Sequence, residues 1–261
     1  MVSFNTLFVA GMLAATTLAV PLKQQKTEVR SASGKRGLAY NDVNAAAAFK
    51  GSAASSWAYN WGTTAGGDIG GPEYVPMLWG QKFFDSWTSS ADSFTSSCSS
   101  ILSFNEPDHH EQAFMPPAVA AEAHKRLLGP YIGKRSIGSP AVTNGGGDMG
   151  LTWLRSFLDA CAGQCGIDFL AVHWYDAAEH IQWFKKHIDD AANLAKQYNI
   201  PGGLWITEFK GLGDEPSQVR FLNEALPWLD NHGGVARYSY FMADEMVQGG
   251  QLTSVGKAYA Q

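Results

Sequence analysis

The 261-residue sequence is short of the features on which several protein classes depend. Its three cysteines, Cys98, Cys161 and Cys165, are too few for a fold stapled by disulfides. Charged residues make up only 16% of the chain and the formal net charge is -5, so there is no basic surplus for the phosphates of nucleic acid. No glycine-rich phosphate loop follows the first predicted strand, which runs instead into NDVNAAAAF, and this removes the mark of a dinucleotide-binding fold. The chain has no Asn-x-Ser/Thr sequon, so N-glycosylation is not expected. Apart from one run near the start, no apolar stretch approaches membrane-spanning length, and retention in a membrane is not expected.

That single run, Leu7 to Val20, is uncharged, rich in Ala, Leu, Val and Thr, and gives way to Pro21 and a polar stretch. It reads as a signal peptide over residues 1–19, with small residues at Thr17 and Ala19 suiting cleavage after Ala19, although its start carries no Lys or Arg. Secretion to the extracellular space or cell wall is therefore expected. Three cysteines fit the oxidising compartment this implies. Cys161 and Cys165, four apart where a helix gives way to a strand, are the favoured pair; pairing of Cys98 with either stays open, because connectivity does not follow from sequence. Residues 20–36 read as a pro-segment or disordered leader ending in the dibasic pair Lys35-Arg36, with an ordinary solvated pair as the alternative. Cleavage there would remove five basic residues and one acidic one and take the net charge from -5 to -9.

From residue 37 to 261 the chain has the length of one barrel domain and no internal linker. Eight short apolar, β-branched or aromatic segments recur along it: 36–42, 56–62, 73–80, 100–108, 135–143, 167–175, 203–209 and 235–245. Helix-compatible stretches stand between them, most clearly over 117–134, 151–163, 179–199 and 217–233. Eight strands alternating with helices predict a single-domain (β/α)₈ TIM barrel. The connection TTAGGDIGGP after the second segment is too short for a helix and departs from ideal alternation.

Segment after segment ends in amides, carboxylates and aromatic rings. In a barrel these C-terminal ends share one face, where active sites of this fold are built. Glu106 directly follows SILSFN at the end of the fourth segment, and Glu208 follows GLWIT at the end of the seventh. A single rim glutamate is more often a structural ion-pair partner. Two that converge across the mouth match what glycoside hydrolysis needs: one carboxyl to protonate the leaving oxygen, one to attack or activate water.

FNEPD and WITEF are similar to the acid/base and nucleophile motifs of clan A glycoside hydrolases. RGLAYND, SWAYNW, YVPMLWG, LSFNEPD, DFLAVHWY and WITEF, taken in order, resemble glycoside hydrolase family 128, whose members act on β-1,3-glucan. The resemblance implies that Glu106 is the general acid/base and Glu208 the nucleophile of a retaining reaction. It also implies that Asn105 binds the sugar 2-hydroxyl, that Tyr175 orients the nucleophile and that His173 lies nearby. Burial and the nucleophile's charge are expected to keep Glu106 protonated.

Tyr40, Asn41, Asn60, Trp61, Trp79, Trp174 and Tyr240 complete the expected sugar-binding set, with Trp61 and Trp79 favoured as platforms. Trp57, Trp87, Trp153, Trp183, Trp205 and Trp228 are assigned to the core or helix layer. Adjacent His109 and His110 project differently and lack partners, so no metal site is read there, and no cofactor is expected. The expectation is a secreted, monomeric, endo-acting β-1,3-glucanase whose only partner is the polysaccharide. The alternatives are a glucan-binding cell-wall protein on the same barrel, or a hydrolase of another β-glucan or β-mannan.

Overall fold

Successive side chains of a strand point to opposite faces, so in a closed barrel every second residue enters the interior and the others meet the helices. The computed structural model describes Met1, residues 34–91 and residues 98–261. The signal peptide and most of the leader lie outside the described residues. Each of the eight apolar segments forms a strand: β1 (Arg36–Ala39), β2 (Trp57–Tyr59), β3 (Glu73–Tyr74), β4 (Ser100–Ile101), β5 (Ser136–Val142), β6 (Phe169–Ala177), β7 (Leu204–Leu212) and β8 (Val235–Tyr240). They run parallel in the order β3-β2-β1-β8-β7-β6-β5-β4. The ends of this sheet meet just beyond β3 and β4, where Leu102 N–H donates to Pro76 O at 2.9 Å and Leu78 N–H to Leu102 O at 3.0 Å. The sheet is thus closed into the predicted barrel.

Helices cover its outside: α1 (Val43–Ala47), α2 (Phe84–Ala91), α3 (Pro117–Leu127), α4 (Gly150–Cys161), α5 (Ile181–Gln197), α6 (Glu215–Asn231) and, after a small hairpin, α7 (Ser254–Ala260). The stretch expected to be helical to Lys134 leaves the α-helix at Leu127, because Gly129-Pro130 cannot extend it, and finishes in a 3-10 turn. No helix joins β2 to β3, in keeping with the glycine-rich connection. Asp214 accepts from Ser217 N–H and caps α6. Cys161 and Cys165 form a disulfide at the end of α4, and Cys98 is free and buried.

Two apolar cores follow from the alternation. Ala39, Trp57, Tyr59, Val75, Met77, Leu102, Phe169 and Trp205 fill the barrel interior. Their strand neighbours Leu38, Tyr40, Ala58, Leu170, Ile206 and Tyr238 join the larger layer between sheet and helices. Arg36, assigned to the leader from sequence, is the first residue of β1, and its guanidinium pairs with Asp230 at 2.7 Å. Lys35 Nζ donates to the carbonyls of Leu229 and His232 at 3.1 and 2.9 Å. The basic pair is therefore tied to the end of α6 rather than solvated.

Candidate active site

The strands present Glu106 and Glu208 to the interior by two different backbone devices. On β7 an extra residue is accommodated: Ile206 pairs with Val172 and Glu208 with the next residue of β6, His173, while on the other side Ile206 to Phe209 spans only Tyr238 to Tyr240. This bulge turns both Thr207 and Glu208 inward, where strict alternation would admit only one. Glu106 instead sits beyond β4 at φ +44°, a left-handed conformation that residues other than glycine seldom adopt. Trp61, two residues past β2, has φ +58°. Strained backbone of this kind costs about 1–3 kcal/mol per residue and persists only where its surroundings impose it. Here Glu106 N–H donates to Ala141 O at 2.7 Å and its carbonyl accepts from His109 N–H at 3.0 Å, which fixes the turn from both sides.

His173 joins the two carboxylates. Its Nδ1 is 2.8 Å from Glu106 Oε1, its Nε2 is 2.9 Å from Thr207 Oγ1 and 3.4 Å from Glu208 Oε1. One oxygen of each glutamate and a ring nitrogen of His173 lie within 4.8 Å of one another. Such a trio has the donor types of a metal site, but both imidazole nitrogens are already committed to hydrogen bonds. Glu208 accepts further bonds from Trp61 Nε1–H at 2.8 Å, from Tyr59 OH at 3.4 Å and from Tyr175 OH. Burial, and after it the charge of Glu208, raises the Tyr175 pKa far above the usual phenol value, so its proton stays in place to be donated.

Electrostatics depart from expectation at Glu106. Burial alone would raise its pKa, but the hydrogen bond and charge of His173, with His109 adding to them, hold it below the ordinary carboxylate value. Burial disfavours charge on His173 too, yet the nearby Glu208 and Glu106 outweigh it and raise the imidazole pKa. Both shifts run in the direction that favours an ionised Glu106 facing a charged His173, with the two groups 2.8 Å apart.

Of the remaining expected sugar-binding residues, Asn105 is 4% exposed, gives its amide N–H to Gln112 Oε1 at 3.2 Å and leaves Oδ1 unpartnered beside Glu106. Tyr175, Trp61 and Trp79 are partly exposed at the mouth, and Lys82 Nζ lies 3.8 Å from the centre of the Trp79 ring. Asn41 is exposed.

Six residues stand otherwise than the sequence led one to expect. His173 is fully buried and lies behind the carboxylates, so it meets them and not a ligand. Trp174 points out of the barrel and stacks on Phe221 and Phe184. Tyr240 also faces the helices, giving its hydroxyl proton to Gln218 Oε1 at 3.0 Å. Tyr40 is buried, with its hydroxyl on Ala65 O at 2.7 Å. Asn60 has its amide engaged with Thr64 O, Gly62 N–H and Tyr74 OH, which holds the turn that carries Trp61. Trp183, assigned to the helix layer, is 60% exposed.

Sequence reasoning missed Tyr59, Thr207 and Phe241. The Phe241 ring meets those of Trp61 and Tyr175 at 5.7 and 5.5 Å. Counting alternate residues back from Trp61, or on from Arg237 and Ser239, would have found Tyr59 and Phe241. Thr207 enters through the bulge, which leaves no such signal.

Residues 37–259 match the family model described as glycosyl hydrolase catalytic core. A crystal structure of a glycoside hydrolase family 128 subgroup III protein from Blastomyces gilchristii, in complex with glucose, is 49% identical, with a TM-score of 0.84 over 87% of this chain and 97% of that one. The chain belongs to glycoside hydrolase family 128. That relative is described as a curdlan-specific exo-β-1,3-glucanase. A family 128 subgroup II protein from Sorangium cellulosum, 28% identical with a TM-score of 0.74 over 87% of this chain and 98% of its own, is described as an endo-β-1,3-glucanase. Alkali-sensitive linkage protein 1 of Schizosaccharomyces pombe is 34% identical over 255 residues, or 88% of this chain. The chain spans 45% of that relative's length.

Proposed function

We propose that this family 128 protein hydrolyses β-1,3-glucan with retention of configuration, Glu106 acting as acid/base and Glu208 as nucleophile. The observation that carries the reading is the close approach of the two carboxylates, no more than 4.8 Å between one oxygen of each. Retaining glycosidases hold their carboxyl groups about 5–5.5 Å apart, whereas inverting enzymes leave roughly 6.5–9.5 Å for a water. The polymer is inferred from the β-1,3-glucanase descriptions of the Blastomyces and Sorangium relatives.

In this reading Tyr175, Trp61 and Tyr59 hold the Glu208 carboxylate toward the anomeric carbon. As Glu208 bonds to the sugar its negative charge disappears, and with it the largest support for the proton on His173. That proton passes to Glu106, and the leaving oxygen is protonated from the Glu106 carboxyl. Glu106, ionised again, takes a proton from the water that attacks the glycosyl-enzyme, and Glu208 departs as a carboxylate. Asn105 Oδ1 is unpartnered but buried, so the expected bond from the sugar 2-hydroxyl requires that atom to be uncovered on binding.

Laminarin incubated with the wild type, Glu106→Gln and Glu208→Gln tests the assignment by release of reducing ends. Each variant is expected to lose roughly 10²–10⁴-fold in kcat. Equal release by all three proteins would overturn the assignment in favour of a non-catalytic glucan binder. The endo mode expected from sequence and the exo mode described for the Blastomyces relative are separated by products: mixed short oligosaccharides from internal cuts, or one fixed product from an end. Secretion is part of the same proposal, supported by the N-terminal apolar run and by the Cys161–Cys165 disulfide.

A further inference from the structure

A second cavity opens on the face that carries the carboxylates. Its volume is about 390 Å³, and it lies between the loop leaving β4 and the start of α4, lined chiefly by Pro107, Phe114, Pro116, Pro117, Met149 and Trp153. That size falls within the range of small-ligand pockets. Pro107, in its wall, is the residue next to Glu106. Thr152, Ser156 and the exposed Asp148 supply polar groups at its edge. Apolar walls edged by a few hydrogen-bonding groups suit a pyranose, which offers C–H faces and hydroxyl rims.

Phe114 is 61% exposed, yet the loop that presents it is firmly held. Its neighbours Ala113 and Met115 are buried, with Ala113 N–H on Asn105 O at 3.2 Å and Met115 N–H on Pro107 O at 2.9 Å. Trp153 Nε1–H donates to Met115 O at 3.0 Å. Asp108, 7% exposed, accepts from Thr143 and, at 2.8 Å, from Gly150 N–H, which ties this loop to the one before α4. Phe114 thus joins Pro107, Pro116, Pro117, Met149 and Trp153 in one contiguous apolar surface, of the kind that marks ligand-binding grooves.

We infer that this cavity binds the leaving-group side of a β-1,3-glucan chain, with Phe114 as the platform for a sugar ring. The inference rests on the proposed hydrolase reading, because the proton donor of a glycosidase stands at the leaving oxygen and this cavity begins one residue beyond it. Chains long enough to reach Phe114 gain binding there, and shorter ones do not.

The test compares wild type, Phe114→Ala and Phe114→Trp on laminaritriose through laminarihexaose. The wild type is expected to gain in kcat/KM with chain length. Phe114→Ala is expected to lose roughly three- to tenfold on laminarihexaose and to match the wild type on laminaritriose, with Phe114→Trp restoring the gain. Equal chain-length profiles for wild type and Phe114→Ala would overturn the inference. If the wild type cleaves none of the series, the hydrolase reading fails separately, and calorimetric binding of laminarihexaose decides the cavity's role: weaker binding to Phe114→Ala supports it, and unchanged binding overturns it.

Discussion

The barrel buries charge at both ends, and the two clusters are built on opposite terms. At the N-terminal end Arg237 pairs with Glu73 at 2.8 Å, its guanidinium 4.4 Å from the Trp205 ring centre. Glu73 also accepts from Ser99 N–H at 3.0 Å. Arg237 and Glu73 meet there under aromatic cover and on ordinary strand backbone. At the C-terminal end two carboxylates share one imidazole, and two of the residues that bring side chains to that cluster, Glu106 and Trp61, sit at positive φ. The balanced cluster closes the bottom of the core, whereas the unbalanced one sets two carboxylates against a single imidazole. The difference separates a part of the fold devoted to stability from one devoted to chemistry.

Substitutions at the two ends should therefore fail differently. The largest effect on stability is expected from Arg237→Met, which leaves the half-buried Glu73 carboxylate without its cation, held only by Ser99 among the described residues. Breaking such a pair costs about 3–5 kcal/mol. Denaturant unfolding should show that loss, and the double variant Arg237→Met/Glu73→Gln should recover much of it. If the single variant is as stable as the wild type, the bottom cluster is not structural.

At the mouth, His173→Gln keeps a hydrogen-bonding side chain but removes the titrating charge. In the wild type the raised His173 pKa means that its proton is present below the ordinary value of 6.5 and lost as pH rises through a higher one. The alkaline limb of kcat/KM should accordingly lie above 6.5, and His173's contribution to stability should fade over the same interval. In His173→Gln the limb should move acidward by roughly a pH unit or more, because the Glu106 carboxyl, raised by burial and lowered by His109, then governs it. An unmoved limb would place the working proton elsewhere.

Trp61→Phe keeps a ring and deletes the N–H that holds Glu208 Oε1 at 2.8 Å. A fall of about tenfold in kcat is expected, with little change in melting temperature. A rise in KM with kcat unchanged would make Trp61 a sugar platform and nothing more. The smallest effect belongs to Tyr240→Phe, which removes one hydrogen bond in the helix layer and should cost about 1 kcal/mol without altering KM. A changed KM would restore Tyr240 to the sugar-binding face.

Much of this architecture was legible before any coordinates. Segments such as EYVPMLWG and GLWITEF marked strands because their apolar density and flanking turns allow little else, and the endings of the fourth and seventh put Glu106 and Glu208 at one mouth. The facing of individual side chains was less legible. Trp174 and Tyr240 end strands as Trp61 and Tyr175 do, yet strand parity sends them outward, and distance from the strand end cannot reveal that. Parity itself breaks at the β7 bulge, so the inward turn of both Thr207 and Glu208 had no sequence signal. The reversal at Glu106 was hidden for a third reason: it depends on His173 standing between two carboxylates, a relation among three strands that no single segment encodes.

The central claim is that Glu208 attacks the sugar while Glu106 manages the proton. Mass spectrometry after incubation with a 2-fluoro laminari-oligosaccharide bearing an activated leaving group tests it most directly. The account predicts a covalent glycosyl adduct on the peptide that contains Glu208, and a first-formed product of β configuration from unmodified substrate. No adduct together with an α-configured first product would contradict it.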